Sequence, residues 1–374
     1  MKLTFKLILV IFAILFLFFL GYEWWRSYPK LILPVPMEAK SQAEKIDSIL
    51  ISTLNQYQLS GLSVGLVKNS EVNYIHSIGY AFLEKKDSLT AKSGINIASL
   101  SKIFTALLIA RQFSERGITL SNSLNELSPD LVRKYPRLDK LTLRELLSHQ
   151  SGLRDRKSIA SFLNLNKKSD LKTYVEKELS RKKVYSDSKD KTYADLNFEL
   201  LGYLLEEVSG RPFDELMNDF LSNELGMMQS YFLKSEKDTL PPIQGYQKTW
   251  IWKRFKENSF RSPVTPYPSS GMISTAEDLT KALIQLSRGS LGRLQPELEW
   301  LNNLNNNEIA GFQLIPLEEK VYLGHFGAQN GFSALLVVDP ENGEGLVILS
   351  NTRDEREFRI TLAKQLIPFL KKKH

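Results

Sequence analysis

The sequence predicts an α+β fold: an antiparallel sheet built from both ends of the chain, flanked by helices, with a mainly helical lobe inserted between. Three observations predict it. A hairpin pattern stands early, where Leu62–Val67 and Val72–Ile75 are apolar, β-rich runs separated by Lys-Asn-Ser-Glu. A second stands late, where Ala334–Val338 and Leu346–Leu349 flank Asp339-Pro340-Glu341-Asn342-Gly343. Between them the pattern is helical. The sheet part is expected over about 41–95 and 265–374 and the helical part over about 96–264.

Taken in order, Lys2 and Lys6 precede an apolar run from Leu7 to Tyr22, closed by Trp24, Trp25 and Arg26. A positive flank, an apolar stretch and interfacial aromatics describe a signal or an anchor. Counted from Phe5 through Trp25 the run reaches the 17–25 or so residues a span needs. Phe18-Phe19-Leu20-Gly21-Tyr22-Glu23 offers no small-x-small cleavage site. Residues 1–26 are therefore expected to be an uncleaved signal anchor in the cell membrane, a single pass with the lysines inside and the chain outside the cytoplasm. A buried helix is the competing reading, but a soluble domain has no way to cover so uniformly apolar a segment. Residues 27–40, with Pro29, Pro34 and Pro36, read as an extended linker that holds the next domain off the bilayer.

Residues 39–59 carry Ile46, Leu50, Leu54 and Tyr57 on one helical stripe. Thr142-Leu-Arg-Glu145 is a capping box opening a short helix toward His149. Phe198–Val208 is a helix closed by Ser209-Gly210-Arg211-Pro212. Glu355–Leu370 is a terminal helix with Phe358, Leu362, Leu366 and Phe369 on one side.

Composition narrows the chemistry. Among 374 residues there is no cysteine, which removes disulfides, Cys-ligated metals and a thiolate nucleophile. The net charge of +7 is diffuse and partly terminal, at Lys371-Lys372-Lys373, and does not point to nucleic acid. His76 and His374 have no partners at metal-ligand spacing, and no cofactor is called for. Met227 and Met228 are expected to pack in the helical lobe, and His149 to be a structural histidine.

The residues that carry chemistry begin with Ser99-Leu100-Ser101-Lys102, leading into the apolar Ile103–Ala110 run. A serine and a lysine three apart lie on one helix face. The helix behind them is apolar nearly all round and so buried, which is expected to desolvate the lysine, lower its pKa and let its neutral amine take the serine proton. The serine would sit at the helix N-terminus, whose free N–H groups can stabilise an oxyanion. Spacing alone decides nothing: Ser-x-x-Lys also begins at Ser27, Ser169, Ser180, Ser186 and Ser188, all in polar stretches.

Four further segments follow in order: Leu146–Leu153 (Leu-Leu-Ser-His-Gln-Ser-Gly-Leu), Tyr193-Ala194-Asp195 opening the Leu196–Gly202 run, Ser270–Leu279, and Gly324-His325-Phe326-Gly327. With these the chain, from about Ala43 to its C-terminus, resembles the serine β-lactamase-related family: class C β-lactamases, D-alanyl-D-alanine carboxypeptidases, D-aminopeptidases and related esterases. The resemblance implies a β-lactamase/transpeptidase-like fold with Ser99 as acylated nucleophile, Lys102 as its base and Tyr193 as the proton-shuttling tyrosine of the Tyr-x-Asn element. It implies an oxyanion hole from the backbone N–H groups of Ser99 and Ala328. Asp195 stands where that element has Asn, and His325-Phe326-Gly327 where β-lactamases have Lys-Thr-Gly, so Asp195, His325 and Gly327 are expected to line the site. An ordinary histidine is mostly neutral at pH 7 and phenylalanine has no hydroxyl, which weakens recognition of a substrate carboxylate. The expected activity is hydrolysis of an ester or amide, a small molecule or a D-amino-acid peptide, rather than of β-lactams. A penicillin-binding D,D-peptidase and a non-catalytic cell-wall or partner-binding module are the alternatives. Tyr185-Ser186-Asp187 repeats the spacing eight residues before Tyr193, but in a polar loop with no helix behind it.

Overall fold

Capping and turn chemistry lay out the chain in the computed structural model, which describes residues 2–155, 170–186, 191–232, 243–258, 267–287, 292–302, 309–329, 331–353 and 356–370. Helix α1 (Lys2–Trp25) comes first. Its segment Phe5–Trp25 has a mean hydropathy of 2.6, keeps most of its apolar side chains exposed, and has the length and composition to cross a membrane. Residues 27–40 are extended, as their prolines require, yet they lie along the protein. Tyr28 pairs with Phe255, the backbone of Leu33 exchanges hydrogen bonds with the Asn55 amide, and Leu31 and Leu33 pack on the core.

Helix α2 (Gln42–Tyr57) opens on a Ser41/Glu44 capping box. Asn69 and Ser70 then take left-handed backbone (φ 52° and 61°). This two-residue geometry matches strand twist and turns β1 (Gly61–Lys68) into β2 (Glu71–Phe82). His76 therefore lies within β2, beyond the expected end of that strand, and bonds Asp47. Strands β3 (Asp87–Ser88) and β4 (Ile95–Asn96) follow, then helices α3 (Ser101–Ser114), α4 (Leu143–Leu147), α5 (Leu171–Leu179) and α6 (Asp195–Ser209). Helix α4 has the expected Thr142/Glu145 box but stops two residues short of His149, which is left-handed at φ 59°. Helix α6 ends as expected at Gly210, whose φ of 71° suits a residue without Cβ.

The expected helical part also holds strand: β5 (Tyr231–Phe232), β6 (Gly245–Lys248) and β7 (Phe255–Asn258). Strand β8 (Met272–Ser274), helix α7 (Ala276–Leu286), strands β9 (Gln313–Leu317), β10 (Lys320–Gln329), β11 (Phe332–Asp339) and β12 (Glu344–Ser350), and helix α8 (Arg356–Leu366) complete the path. Met227 is buried, but Met228 is exposed, against expectation, because it lies on the outer side of the turn after Gly226.

The main sheet has the order β3-β2-β1-β12-β11-β10-β9, antiparallel throughout, so its centre joins a strand from each end of the chain. Both faces are covered. Alternate residues of β11 and β12 point opposite ways. Leu335, Val337, Leu346 and Ile348 meet α2 and α8, while Ala334, Leu336, Val347 and Leu349 meet the helical side built on α3, α6 and α7. The protein is an α+β molecule with an antiparallel sheet flanked by helices.

Candidate active site

Ser99 sits not on α3 but in the 3₁₀ turn Ala98–Leu100 that feeds it. The turn is sharp. Ala98 has φ 48°, a conformation that costs an L residue with a Cβ. It is held there by Asn96 Oδ1, which accepts the Ala98 N–H (3.0 Å), and by the Ser101 hydroxyl, which donates to the Ala98 carbonyl (2.7 Å). Strand β10 runs against the same turn. A Cβ on Gly327 would collide with the Ile97 carbonyl oxygen and crowd the Leu100 nitrogen, so only glycine lets strand and turn meet. Strand β9 pairs with β10 through Lys320–Gly324, and the His325–Gln329 half extends past it along the cleft, with Ala328 exposed beside Gly327.

Lys102 begins the buried side of α3 and is itself fully buried. An unpaired ammonium there would cost several kcal/mol. Instead Nζ donates to Asp195 Oδ1 at 2.6 Å, to the Ser269 carbonyl at 3.1 Å and, more weakly, to Ser99 Oγ at 3.4 Å. It also lies 4.8 Å from the Tyr193 ring centre and 5.5 Å from that of Phe198. Burial works to lower its pKa, but the Asp195 carboxylate and the Tyr193 phenol outweigh it, and the amine is held above the usual lysine range. The expectation of a neutral lysine is thus corrected: desolvation is present, and the carboxylate overrides it.

Tyr193 and Asp195 stand at the mouth of the cleft, each 46% exposed. Their position is fixed from outside α6. The helix has no side-chain cap of its own at Ala194; Asp155 supplies one, accepting the Asp195 and Leu196 N–H groups at 2.7 and 3.0 Å. Burial and the neighbouring Asp195 charge raise the Asp155 pKa. His149 clamps the same helix start. Its Nδ1 accepts the Ala194 N–H (3.3 Å), lies 3.0 Å from Asn197 Nδ2, and its ring stacks 4.5 Å from Tyr193. Burial, then the Lys102 charge, push its pKa down to about 4, which fits a structural histidine. Ser151 adds a hydroxyl bond to Asn197 Oδ1 at 2.6 Å.

The segment after Tyr267 closes the floor. Thr105 donates to the Pro268 carbonyl (2.7 Å), Ser101 Oγ accepts the Met272 N–H (3.2 Å), and Gln329 bridges Asn96 Oδ1 and the Ser270 carbonyl. Beneath lies Glu199, one helical turn beyond Asp195 and buried. Its Oε1 accepts the Ser269 hydroxyl at 2.5 Å, and its Oε2 has no partner among the described residues. Burial, against the Ser269 hydrogen bond, pushes its pKa well up, and Glu199 holds the residue whose carbonyl holds Lys102.

His325 is buried and faces Tyr193, with ring centres 6.3 Å apart. Its Nδ1–H donates to the Phe326 carbonyl at 2.6 Å. Beside these rings opens a cavity of about 660 Å³ with mainly apolar walls, among them Ile309, Phe312, Leu314, Leu323 and Phe326, and with Lys191 and Lys364 at its edge.

The structure therefore brings Ser99, Lys102, Tyr193, Asp195, His325, Gly327 and Ala328 to one cleft. Tyr185 is elsewhere, its hydroxyl spent on the Leu179 carbonyl; Asp187 lies outside the described residues. Sequence reasoning missed Asn96, Asp155, Glu199, Ser269 and Gln329. Their partners are 36 to 233 positions away at the nearest and farthest ends of the range, Asn96 excepted in its bond to Ala98, so no local spacing announces them. Among the described residues no group of three or more His, Asp or Glu is placed to hold a metal ion. What the cleft offers is a hydroxyl on a strained turn, an ammonium joined to a carboxylate, and a phenol over both.

Comparison with known proteins agrees with this geometry. The family pattern described as Beta-lactamase matches residues 46–367. Protein flp of Staphylococcus aureus (strain MW2) is 22% identical over 326 residues, 83% of this chain and 64% of its own length; the chain thus spans less than two thirds of that relative. A beta-lactamase of Providencia stuartii is 22% identical over 364 residues, 87% of this chain and 90% of that one. Among solved structures, the octameric penicillin-binding protein homologue from Pyrococcus abyssi superposes with a TM-score of 0.73 at 20% identity, covering 88% of this chain and 78% of that one.

Proposed function

The chain belongs to the beta-lactamase family, and from that premise we propose that it is a membrane-anchored, extracytoplasmic serine hydrolase that cleaves an ester or amide through an acyl-enzyme on Ser99. The observation that carries this reading is the Ser99–Lys102–Asp195 line, 3.4 and 2.6 Å per step, with the buried Lys102 at its centre and the partly exposed Ser99 and Asp195 at its ends. The family relation supports a serine hydrolase; the loss of Lys-Thr at 325–326 and the apolar cavity beside His325 favour an uncharged acyl group over a carboxylate-bearing one.

In this mechanism Lys102 starts charged, so it takes the Ser99 proton only as it hands one of its own to Asp195. The Ser99 oxygen forms a bond to the substrate carbonyl carbon, and the oxyanion is met by the N–H groups of Ser99 and Ala328. As the bond to the leaving group breaks, Tyr193 gives that group its proton, and the proton held by Asp195 returns through Lys102 to Tyr193. Water then repeats the sequence in reverse and frees the acid, leaving every group as it began. A non-catalytic module has one observation in its favour: the carboxylate at 195 locks Lys102 as an ion pair.

Turnover separates the readings. With p-nitrophenyl alkyl esters the chain is expected to release a burst of about one nitrophenol per molecule before steady turnover. Saturable binding of an ester or peptide with neither burst nor turnover would favour the module, and a stable adduct with labelled penicillin would favour the D,D-peptidase.

A further inference from the structure

The β6–β7 hairpin ends in Trp250-Ile251-Trp252-Lys253, and this tip is built to stay open. Lys253 is left-handed at φ 51°, and the neck is closed by the Thr249 N–H donating to the Arg254 carbonyl (2.8 Å) and the Arg254 N–H donating to the Thr249 hydroxyl (3.0 Å). Trp250 is 81% exposed and Ile251 50%. A lone exposed apolar residue means little, but this pair is continuous with Trp24 and Trp25 at the end of α1, Trp25 being 80% exposed.

The tip is clasped to that helix end. The Glu23 carboxylate, the one acid of α1, accepts the Trp250 and Ile251 N–H groups at 2.7 and 3.1 Å. Without them it would face the negative end of the helix dipole at the edge of an apolar segment. Trp252 packs edge-on against Trp24 at 5.3 Å, and its Nε1–H donates to the Leu20 carbonyl at 3.0 Å. The Arg254 guanidinium lies 4.0 Å over the Trp24 ring and bonds Ser27. Leu20 stands five residues before Trp25, about 7 Å along the helix axis. Trp252 is thus held beside the last apolar turn of α1 rather than beyond it.

We propose that the Trp250–Trp252 tip is a second membrane contact, seated in the interfacial layer of the same leaflet from which α1 emerges and fixing the catalytic part in one orientation over the bilayer. The inference rests on the reading of α1 as a membrane span. Tryptophan suits that layer, its ring apolar and its N–H polar. The charge around the tip matches it. Arg26 and Lys256 lie beside Trp250 and Lys253 is part of the tip itself; Glu23 is satisfied by backbone and Glu257 accepts the Tyr28 hydroxyl at 2.6 Å. A groove of about 290 Å³ lined by Phe19, Tyr22 and Trp250, with Arg26, Lys256 and the backbone-bonded Glu23, sets apolar and cationic groups side by side, as acyl chains and anionic headgroups require.

Because the chain has no cysteine, single labels test this directly. Full-length Ile251→Cys and Phe16→Cys variants, each carrying an environment-sensitive fluorophore, are reconstituted in phosphatidylcholine/phosphatidylglycerol vesicles with or without nitroxide-labelled lipid. Position 16 is expected to be quenched by deep nitroxides, and position 251 by shallow ones with roughly a twofold loss of emission. Quenching at 16 without quenching at 251 would overturn the second contact and leave the anchor standing. Absence of quenching at both would overturn the span and the contact together.

Discussion

The two walls of the cleft are made differently. One wall, the half-buried Ser99 with the buried Lys102 and Gly327, is local: a turn, the first turn of a helix and a strand pressed so close that a Cβ has no room. The other, Tyr193 with Asp195, is half open to solvent and is placed by remote groups, the Asp155 cap and the His149 clamp. The first wall is rigid because it is core. The second is rigid only because its hydrogen bonds are made, and its charge sets the protonation of the first.

The largest effect that sharpens this contrast is expected from Lys102→Met. Activity should fall by about 10³-fold or more, yet thermal stability should hold or rise, because an apolar side chain replaces a buried cation whose partner can turn to water. A large drop in Tm would mean that the lysine is a structural strut. Tyr193→Phe removes one hydroxyl from the open wall and should cost about 10²-fold in kcat with little change in Tm. Asp195→Asn should cost less, about tenfold, but change the pH profile. With the carboxylate gone only the Tyr193 phenol still opposes burial, the Lys102 pKa falls, and activity should climb with pH through that lowered value. An unchanged profile would remove Asp195 from the proton path.

How much of this was legible follows the same division. The Ser99–Lys102 pair and the burial of its helix were readable because an apolar run and a three-residue spacing are local signals. The hairpins and the Thr142/Glu145 and Gly210 helix ends were readable because turn and cap residues act on their own neighbours. The charge state of Lys102 was not, since it depends on a carboxylate 93 positions away. Nor was the docking of residues 27–40, whose composition says extended but not against what. Strands β6 and β7 were missed because a short polar hairpin has almost no apolar periodicity.

The smallest effects lie in stability. His149 is neutral when folded, with a pKa of about 4 against 6.5, so the unfolded chain takes up a proton first as pH falls. Stability present above pH 6.5 is lost down to about pH 4, by up to about 3 kcal/mol, and His149→Gln should flatten that loss in denaturant titrations. Glu199 runs the opposite way. Its raised pKa gives stability that is full below about pH 4.5 and declines as pH rises toward the folded value, so Glu199→Gln should make Tm fall less as pH rises above about 4.5.

The central claim is that Ser99 is esterified during the reaction. Intact-mass and peptide mapping after treatment with a fluorophosphonate probe tests it most directly. The account predicts one adduct per chain, on Ser99, absent from Ser99→Ala; an adduct that persists in that variant, or that maps to another residue, would contradict it.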